Sequence, residues 1–229
     1  MENHKLPTLE DLEIKLEGLE SKRILVRSDL NVPITDGLID DDLRIQGSLN
    51  TLKWLEERKA SVVVCSHLGR PEGQRDDKYS IQPVKERILE ILPNLEVLEN
   101  LRFNPGEKAN EESFVEYLVS GAGGESFDAY VNDAFGASHR EHASIVGPPK
   151  HLPSAAGILL LREVEIVQKI LERPKRPFLL VLGGAKVSDK LALIEKMSES
   201  VDQMIIGGGM CFTFLAAAGI PVGDSLVEN

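Results

Sequence analysis

The chain has 229 residues, 42% of them hydrophobic and 5% aromatic; at this length roughly 70–75% of the unfolded surface can be buried, so wholesale disorder is excluded and no staple is needed. Lys and Arg number 26 against 37 Asp and Glu, a formal charge of −11, which excludes a general binder of nucleic acid or of anionic membrane. No apolar run approaches the roughly 18 residues needed to cross a bilayer, and the opening MENHKLPTLEDLE is polar and acidic, so neither a membrane span nor a signal peptide is expected. In chain order, short apolar runs predict strands at Arg23–Arg27, Ser61–Ser66, Leu95–Leu98, Ala129–Val131 (with Phe127 ahead of it), Phe178–Leu182 and Met204–Ile206. Stretches of helical spacing predict helices near Leu43–Arg58, Ile81–Ile91, Glu111–Val119, Ala156–Leu171, Ser188–Ser198 and Met210–Ala218. Several strand runs are near-continuous Val, Ile and Leu, the mark of strands covered on both faces of a parallel sheet. Their alternation with helices implies right-handed crossovers and a doubly wound, Rossmann-like α/β architecture with helices on both faces.

A break falls at Glu172–Pro177 (ERPKRP), where two prolines cannot continue the helix before them. Three segments are expected: a domain over 1–156, an inter-domain helix over 157–173 and a second α/β unit over 174–229. The last holds two strands and two helices, which is thin for a complete α/β domain, and the chain stops at Ser225–Asn229 without a closing element. It reads as a fragment. Cys65 and Cys211 are isolated thiols with no CxxC spacing, so neither a zinc site nor a disulfide framework is expected, and a reduced, cytoplasmic setting is.

In an open α/β sheet, ligands bind beyond the carboxyl ends of the strands. Those positions carry RSDLNVP with Asp29 and Asn31, SHLGRP with His67 and Arg70, ENLRF with Arg102, NDAFGASHREH with Arg140, GGAKVSDK with Lys186 and Lys190, and the glycine turn GGGM from Gly207. One arginine after one strand is most often a solvated surface residue. Asp29 alone could merely turn the chain, His67 alone is more often a loop histidine, and GGAK is a weak signal because neither GxxxxGK[ST] nor GxGxxG is present. The weight lies in the set. Loops converging on one edge would gather these cations into a pocket for a small polyanion such as a phosphorylated carboxylic acid, held by guanidinium forks. The glycine loops ahead of helices expected at Ser188 and Met210 would offer backbone N–H groups to phosphates.

Taken in order, RSDLNVP, DDLRI at Asp41–Ile45, SHLGRP, ENLRF, NDAFGASHREHAS, LGGAKVSDK and IIGGGMCFTFL resemble the phosphoglycerate kinase family over the whole chain, which has little more than half the family's usual length. Ser28 and Leu30 stand where members often have Val and Phe, with Asp29 and Asn31 intact between them. The resemblance implies that Asp29, Asn31, Arg44, His67, Leu68, Gly69, Arg70, Arg102 and Arg140 hold 3-phosphoglycerate or 1,3-bisphosphoglycerate. Arg44 is absent from the strand-end set because it opens a helix. The resemblance further implies Lys186, together with Arg44, as catalytic, and Gly184, Lys186, Lys190, Gly208 and Gly209 as contacts for ADP or ATP. Mg2+ would arrive as the nucleotide complex, with its protein ligand beyond Asn229 and no metal ligand within the chain. The implied activity is reversible, glycolytic phosphoryl transfer from 1,3-bisphosphoglycerate to MgADP by a cytoplasmic monomer, with the fragment alone inactive. Two other readings stay open: a module that only binds a phosphorylated acid, and a nucleotide-binding oxidoreductase, against which the absent GxGxxG counts.

Overall fold

Strands covered on both faces have no solvent side to select polar residues, and RILVRS and SVVVC form such strands at the centre of the sheet. The computed structural model describes residues 6–228, which fall into two compact units, one ending at Glu165 and the other beginning at Ile166. The first unit opens on α1 (Leu9–Lys15), where the Thr8 hydroxyl accepts from the Asp11 N–H and the Asp11 carboxylate from the Thr8 N–H, a reciprocal cap. Strand β1 (Arg23–Ser28) continues through a small hairpin, β2 (Ile34–Thr35) and β3 (Leu38–Ile39), into α2 (Leu43–Glu57). There follow β4 (Ser61–Cys65), α3 (Gln82–Ile91), β5 (Glu96–Val97), α4 (Pro105–Ala109), α5 (Glu112–Val119), β6 (Ala129–Asp133), α6 (Ala143–Val146), β7 (Ser154–Ala156) and α7 (Ile158–Glu172). Five strands pair in the order β5-β4-β1-β6-β7, every pair parallel.

Alternate residues of β1 serve opposite layers. Ile24 and Val26 pack with Leu49, Leu52 and Leu55 of α2 and Val84 and Ile88 of α3. Leu25 packs with Phe114, Val115 and Leu118 of α5. The sheet is thus covered by helices on both faces, the architecture that its apolar runs imply. Sequence periodicity misses α1, α4, α6 and the hairpin, which are too short to show a period. Ser154–Ala156 joins the sheet as an edge strand, so the helix expected from Ala156 begins at Ile158.

The second unit consists of β8 (Leu179–Gly183), α8 (Leu191–Ser198), β9 (Gln203–Gly207) and α9 (Met210–Ala217), with β8 and β9 parallel. It fits an incomplete α/β unit. Its helix α8 starts at Leu191 and not at Ser188, because the Lys190 N–H bonds back to Val187 O in a turn. The division at Glu165 and Ile166 falls inside α7, whereas prolines placed the expected break after it. Both cysteines are free; burial pushes the Cys65 thiol up to about 12. No helix among the described residues is long and apolar enough to cross a membrane.

Polar groups interrupt the first unit's core at a few positions, and they set its response to acid. Burial, then the charges of Arg27 and Arg102, hold His67 down at about 2. The ring therefore stays neutral in the fold, while in the unfolded chain it takes a proton below about pH 6.5. Below that value the unfolded state binds more protons, and stability falls as pH drops. Asp133, raised to about 6 by burial, acts in the opposite sense, losing stability as pH rises through that value. For His67 alone the difference between pH 7 and pH 5 comes to about 2 kcal/mol. We expect His67→Gln to flatten the acid limb of urea-unfolding free energy by about that amount; an unaltered slope would remove the histidine from this role.

Candidate functional site

Parallel strands present all their carboxyl ends at one edge, so the loops after β1, β4, β5 and β6 meet there. They enclose a cavity of about 230 Å³. Asp29 and Asn31 reach it from the loop after β1, and Arg44 from the first turn of α2. The loop after β4 brings His67, Gly69 and Arg70, a 3₁₀ turn at Leu101–Phe103 brings Arg102, and the loop after β6 brings Gly136, Ala137 and Arg140. Eight of the nine substrate residues expected from the sequence are brought together. Leu68 is not. Its side chain is 3% exposed in the core, and its main chain is held by Asn100, whose Oδ1 accepts the Leu68 N–H (3.2 Å) and whose Nδ2 donates to Leu68 O (2.7 Å).

The loops are fixed to one another before any ligand is considered. The Asn31 Oδ1 accepts the Gly69 N–H at 2.8 Å, and the Arg102 Nη1 donates to Gly69 O at 2.7 Å. Gly69 has φ +60°, and a Cβ there would lie 2.3 Å from the Tyr79 ring, so the turn accepts glycine alone. Asn100 also accepts the Arg102 N–H at 3.1 Å and donates to Tyr79 O at 2.8 Å, joining SHLGRP to ENLRF. Its role is invisible in sequence, where it reads only as a turn residue. Arg44 pairs with the Asp29 carboxylate, and the Arg140 Nε donates to the His139 Nε2 at 3.2 Å.

Positive charge is in excess here. The Arg102 Nε is buried without a partner among the described residues; burial, then the Arg140 and Arg27 charges, lower this guanidinium's proton affinity. Burial, then Arg102 and Arg140, bring His142 down to about 4. Cations crowded this closely are relieved by an anion between them. A second cavity of about 270 Å³ adjoins the first, sharing Arg70, Arg102 and Arg140 and adding Glu72 and Lys108; the last two lie off the strand ends, which is why a strand-end survey passes over them.

In the second unit the glycine turns after β8 and β9 pack backbone to backbone. Gly184 O accepts the Met210 N–H at 2.9 Å, and a Cβ on Gly208 (φ +68°) would stand 2.8 Å from the same oxygen. The Lys190 amino group lies beside Gly184, Gly209 stands over Ala185, and Lys186 is exposed on the same loop. Gly184, Lys190, Gly208 and Gly209 are thus gathered at the strand ends, with Lys186 on their rim. Glu228, which no local signal marks, reaches this loop from 40 residues away. Its carboxylate accepts from the Val187 N–H, the Ser188 N–H (3.0 Å) and the Ser188 hydroxyl (2.7 Å), and these bonds, the hydroxyl's foremost, lower its proton affinity. The turn thus receives a carboxylate through two main-chain N–H groups and the Ser188 hydroxyl. Among the described residues there is no group of three or more His, Cys, Asp or Glu placed to hold a metal ion.

Comparison with known proteins identifies a family. The profile of the phosphoglycerate kinase family matches residues 13–97 and 94–229. The chain is 44% identical over 242 residues to the phosphoglycerate kinase of Dictyoglomus turgidum, covering 95% of this chain and 60% of that protein. It is 46% identical over 252 residues to that of Salinispora arenicola, covering 97% and 61%. Among solved structures, phosphoglycerate kinase from Coxiella burnetii superposes with a TM-score of 0.85 at 36% identity, covering 98% of this chain and 60% of that one. The chain thus spans about 60% of the length of the curated relatives it matches. Its motifs, its sheet and a family profile that runs through nearly all of its residues agree, and the chain belongs to the phosphoglycerate kinase family.

Proposed function

We propose that the first unit binds 3-phosphoglycerate and 1,3-bisphosphoglycerate in the arginine-lined cavity, and that the second contributes to an ADP/ATP site through its glycine turns. The enzyme of which this chain forms part would then move a phosphoryl group reversibly between the acyl phosphate of 1,3-bisphosphoglycerate and ADP. The observation that carries the reading is the arrival of Arg44, Arg70, Arg102 and Arg140 from four separate segments in one cavity of about 230 Å³. That volume is below the usual range for drug-sized ligands, about 300–1,000 Å³, and suits a three-carbon acid carrying phosphate. Guanidinium forks hold phosphate and carboxylate in bidentate fashion, so they fix orientation as well as charge.

In this reading Arg70, Arg102 and Arg140 anchor the ligand, while Asn31 and Gly69 shape the turn around it. Asp29 holds Arg44 over the reacting end. A loose transition state spreads negative charge over the equatorial oxygens. Lys186 and the main-chain N–H groups of Val187 and Ser188 are the groups suited to meet it, and a nucleotide phosphate would take the place of Glu228. Mg2+ would arrive here as part of the nucleotide complex. The substrates are soluble metabolites, consistent with a cytoplasmic, monomeric glycolytic enzyme.

Thermal melts test the binding half directly. With 3-phosphoglycerate at 100 times its dissociation constant, stabilisation by about 2.7 kcal/mol should raise the midpoint by roughly 5–10 °C; an unchanged midpoint together with a flat calorimetric titration would refute it. Arg140 offers a sharper check. Arg140→Ala should weaken 3-phosphoglycerate binding by about 2 kcal/mol, against about 0.5 kcal/mol or less for a surface arginine, and affinity equal to that of the unsubstituted chain would retire the assignment. For the transfer half, a coupled assay with MgATP and 3-phosphoglycerate should give turnover from a chain extended to the length of the relatives and none from the 229 residues alone. Comparable rates from the two would overturn that expectation.

A further inference from the structure

Arg27 is fully buried in β1, outside the cavity lining, yet every arm of its guanidinium is engaged. The Nε donates to the Ser144 Oγ at 2.9 Å, Nη1 to Ser28 O at 2.5 Å, and Nη2 faces the His67 Nδ1 at 3.0 Å. The Ser144 hydroxyl in turn donates to the Glu107 Oε1 at 2.7 Å, and the Ser144 N–H to its Oε2 at 2.9 Å. Tyr130 closes the network, its hydroxyl donating to Ser144 O at 2.7 Å. Glu107 and Ser144 are as fully buried as Arg27.

A guanidinium has five N–H donors and no acceptor. The ring nitrogen that faces it at 3.0 Å must therefore accept, and a neutral imidazole that accepts at Nδ1 carries its proton on Nε2. His67 lines the cavity, and no hydrogen bond among the described residues engages its Nε2. We propose that Arg27 is a positioning residue: the buried chain Glu107–Ser144–Arg27 fixes His67 as the Nε2–H tautomer, so that the cavity presents one neutral hydrogen-bond donor among its arginines to an oxygen of the bound anion. The charged and titratable groups facing the ring are Arg27 from β1, Arg102 from the turn after β5, and Arg140 and His142 from the segment between β6 and α6. All are basic, so a second proton on the ring is opposed from every side. The other neutral tautomer would turn a lone pair toward the ligand. Arg27 thus acts on the ligand without touching it. The inference rests on the proposed function for the identity of that ligand, and on geometry alone for the tautomer.

The test is imidazole nitrogen–proton correlation spectroscopy on the 15N-histidine-labelled chain, in which five histidines are present and the His67 signals are assigned by their loss in His67→Gln. Without ligand, His67 should show the neutral Nε2–H form unchanged from pH 5 to pH 8. Arg27→Gln should introduce the Nδ1–H form or bring ring titration into that window, and should weaken 3-phosphoglycerate about tenfold, the loss expected of one misdirected hydrogen bond. Arg27→Lys, which keeps a charged donor, should restore the tautomer. Should the Arg27 variants not fold, the unsubstituted chain still decides: an Nδ1–H ring, a mixture of tautomers, or titration between pH 5 and pH 8 overturns the proposal. An unchanged tautomer in a folded Arg27→Gln chain overturns it equally. The expected tautomers without any 3-phosphoglycerate binding would uphold the positioning and defeat only the reading of the ligand.

Discussion

Parallel pairing on both sides of β1, with Ile24 opposite Val62 and Ala129 and Arg27 opposite Cys65 and Asn132, sends the loops after three adjacent strands to the same edge of the sheet. An antiparallel partner on either side would carry its loop to the far edge, and the cations would be spread over two ends of the molecule. The register also brings Arg27, the last charged side chain within β1, level with the end of β4, next to the start of SHLGRP. From there its guanidinium spans to His67 on one side and Ser144 on the other. The apolar pattern that buries β1 and the polar contacts that organise the cavity are consequences of a single alignment.

Gathering like charges works against folding, and the first unit offsets the repulsion with buried acceptors. Glu107 supplies a carboxylate inside the core, its proton affinity raised by burial. Asp29 meets Arg44, and main-chain carbonyls of Ser28 and Gly69 take arms of Arg27 and Arg102. The compensation is incomplete at the cavity itself, where Arg102 keeps an unpartnered N–H among the described residues and two histidines are held neutral. Such residual strain is what an anion relieves. Removing Glu107 alone would leave Arg27 without its acid, a loss that buried charges tolerate poorly.

The strands are legible because Val, Ile and Leu runs respond to burial on both faces, and the strand-end cations follow from the parallel sheet that those runs imply. Arg44 fell outside that logic because a helix start delivers it, and only the family resemblance supplied it. Leu68 shares a motif with two cavity residues, yet its side chain is buried in the core while His67 and Gly69 line the cavity. Glu107, Ser144 and Glu228 were illegible for a different reason. Each acts through contacts 37 or more residues away, and no local period encodes a partner at that distance. Short elements such as α4, α6 and β7 lack enough residues to repeat a pattern at all.

Under the proposed function the two units would hold anions by different physics. In the first, guanidinium groups on fixed loops supply charge and bidentate geometry, and their mutual repulsion would favour a multiply charged ligand. In the second, the groups on offer are the main-chain N–H groups of Val187 and Ser188 with the Ser188 hydroxyl, which carry no net charge and already accommodate a side-chain carboxylate. A receptor of that kind releases one anion for another at small cost, since N–H groups satisfied by Glu228 are satisfied equally by phosphate oxygens. Under the proposed function the division has a chemical logic. The small phosphorylated acid has to be held in one orientation for in-line transfer, which forks accomplish. The nucleotide must arrive and leave in each turnover with the charge on its terminal phosphate changing. A neutral turn with Lys186 and Lys190 at its margin suits that better than a cluster of arginines, because it does not bind the more highly charged form too tightly to let it go.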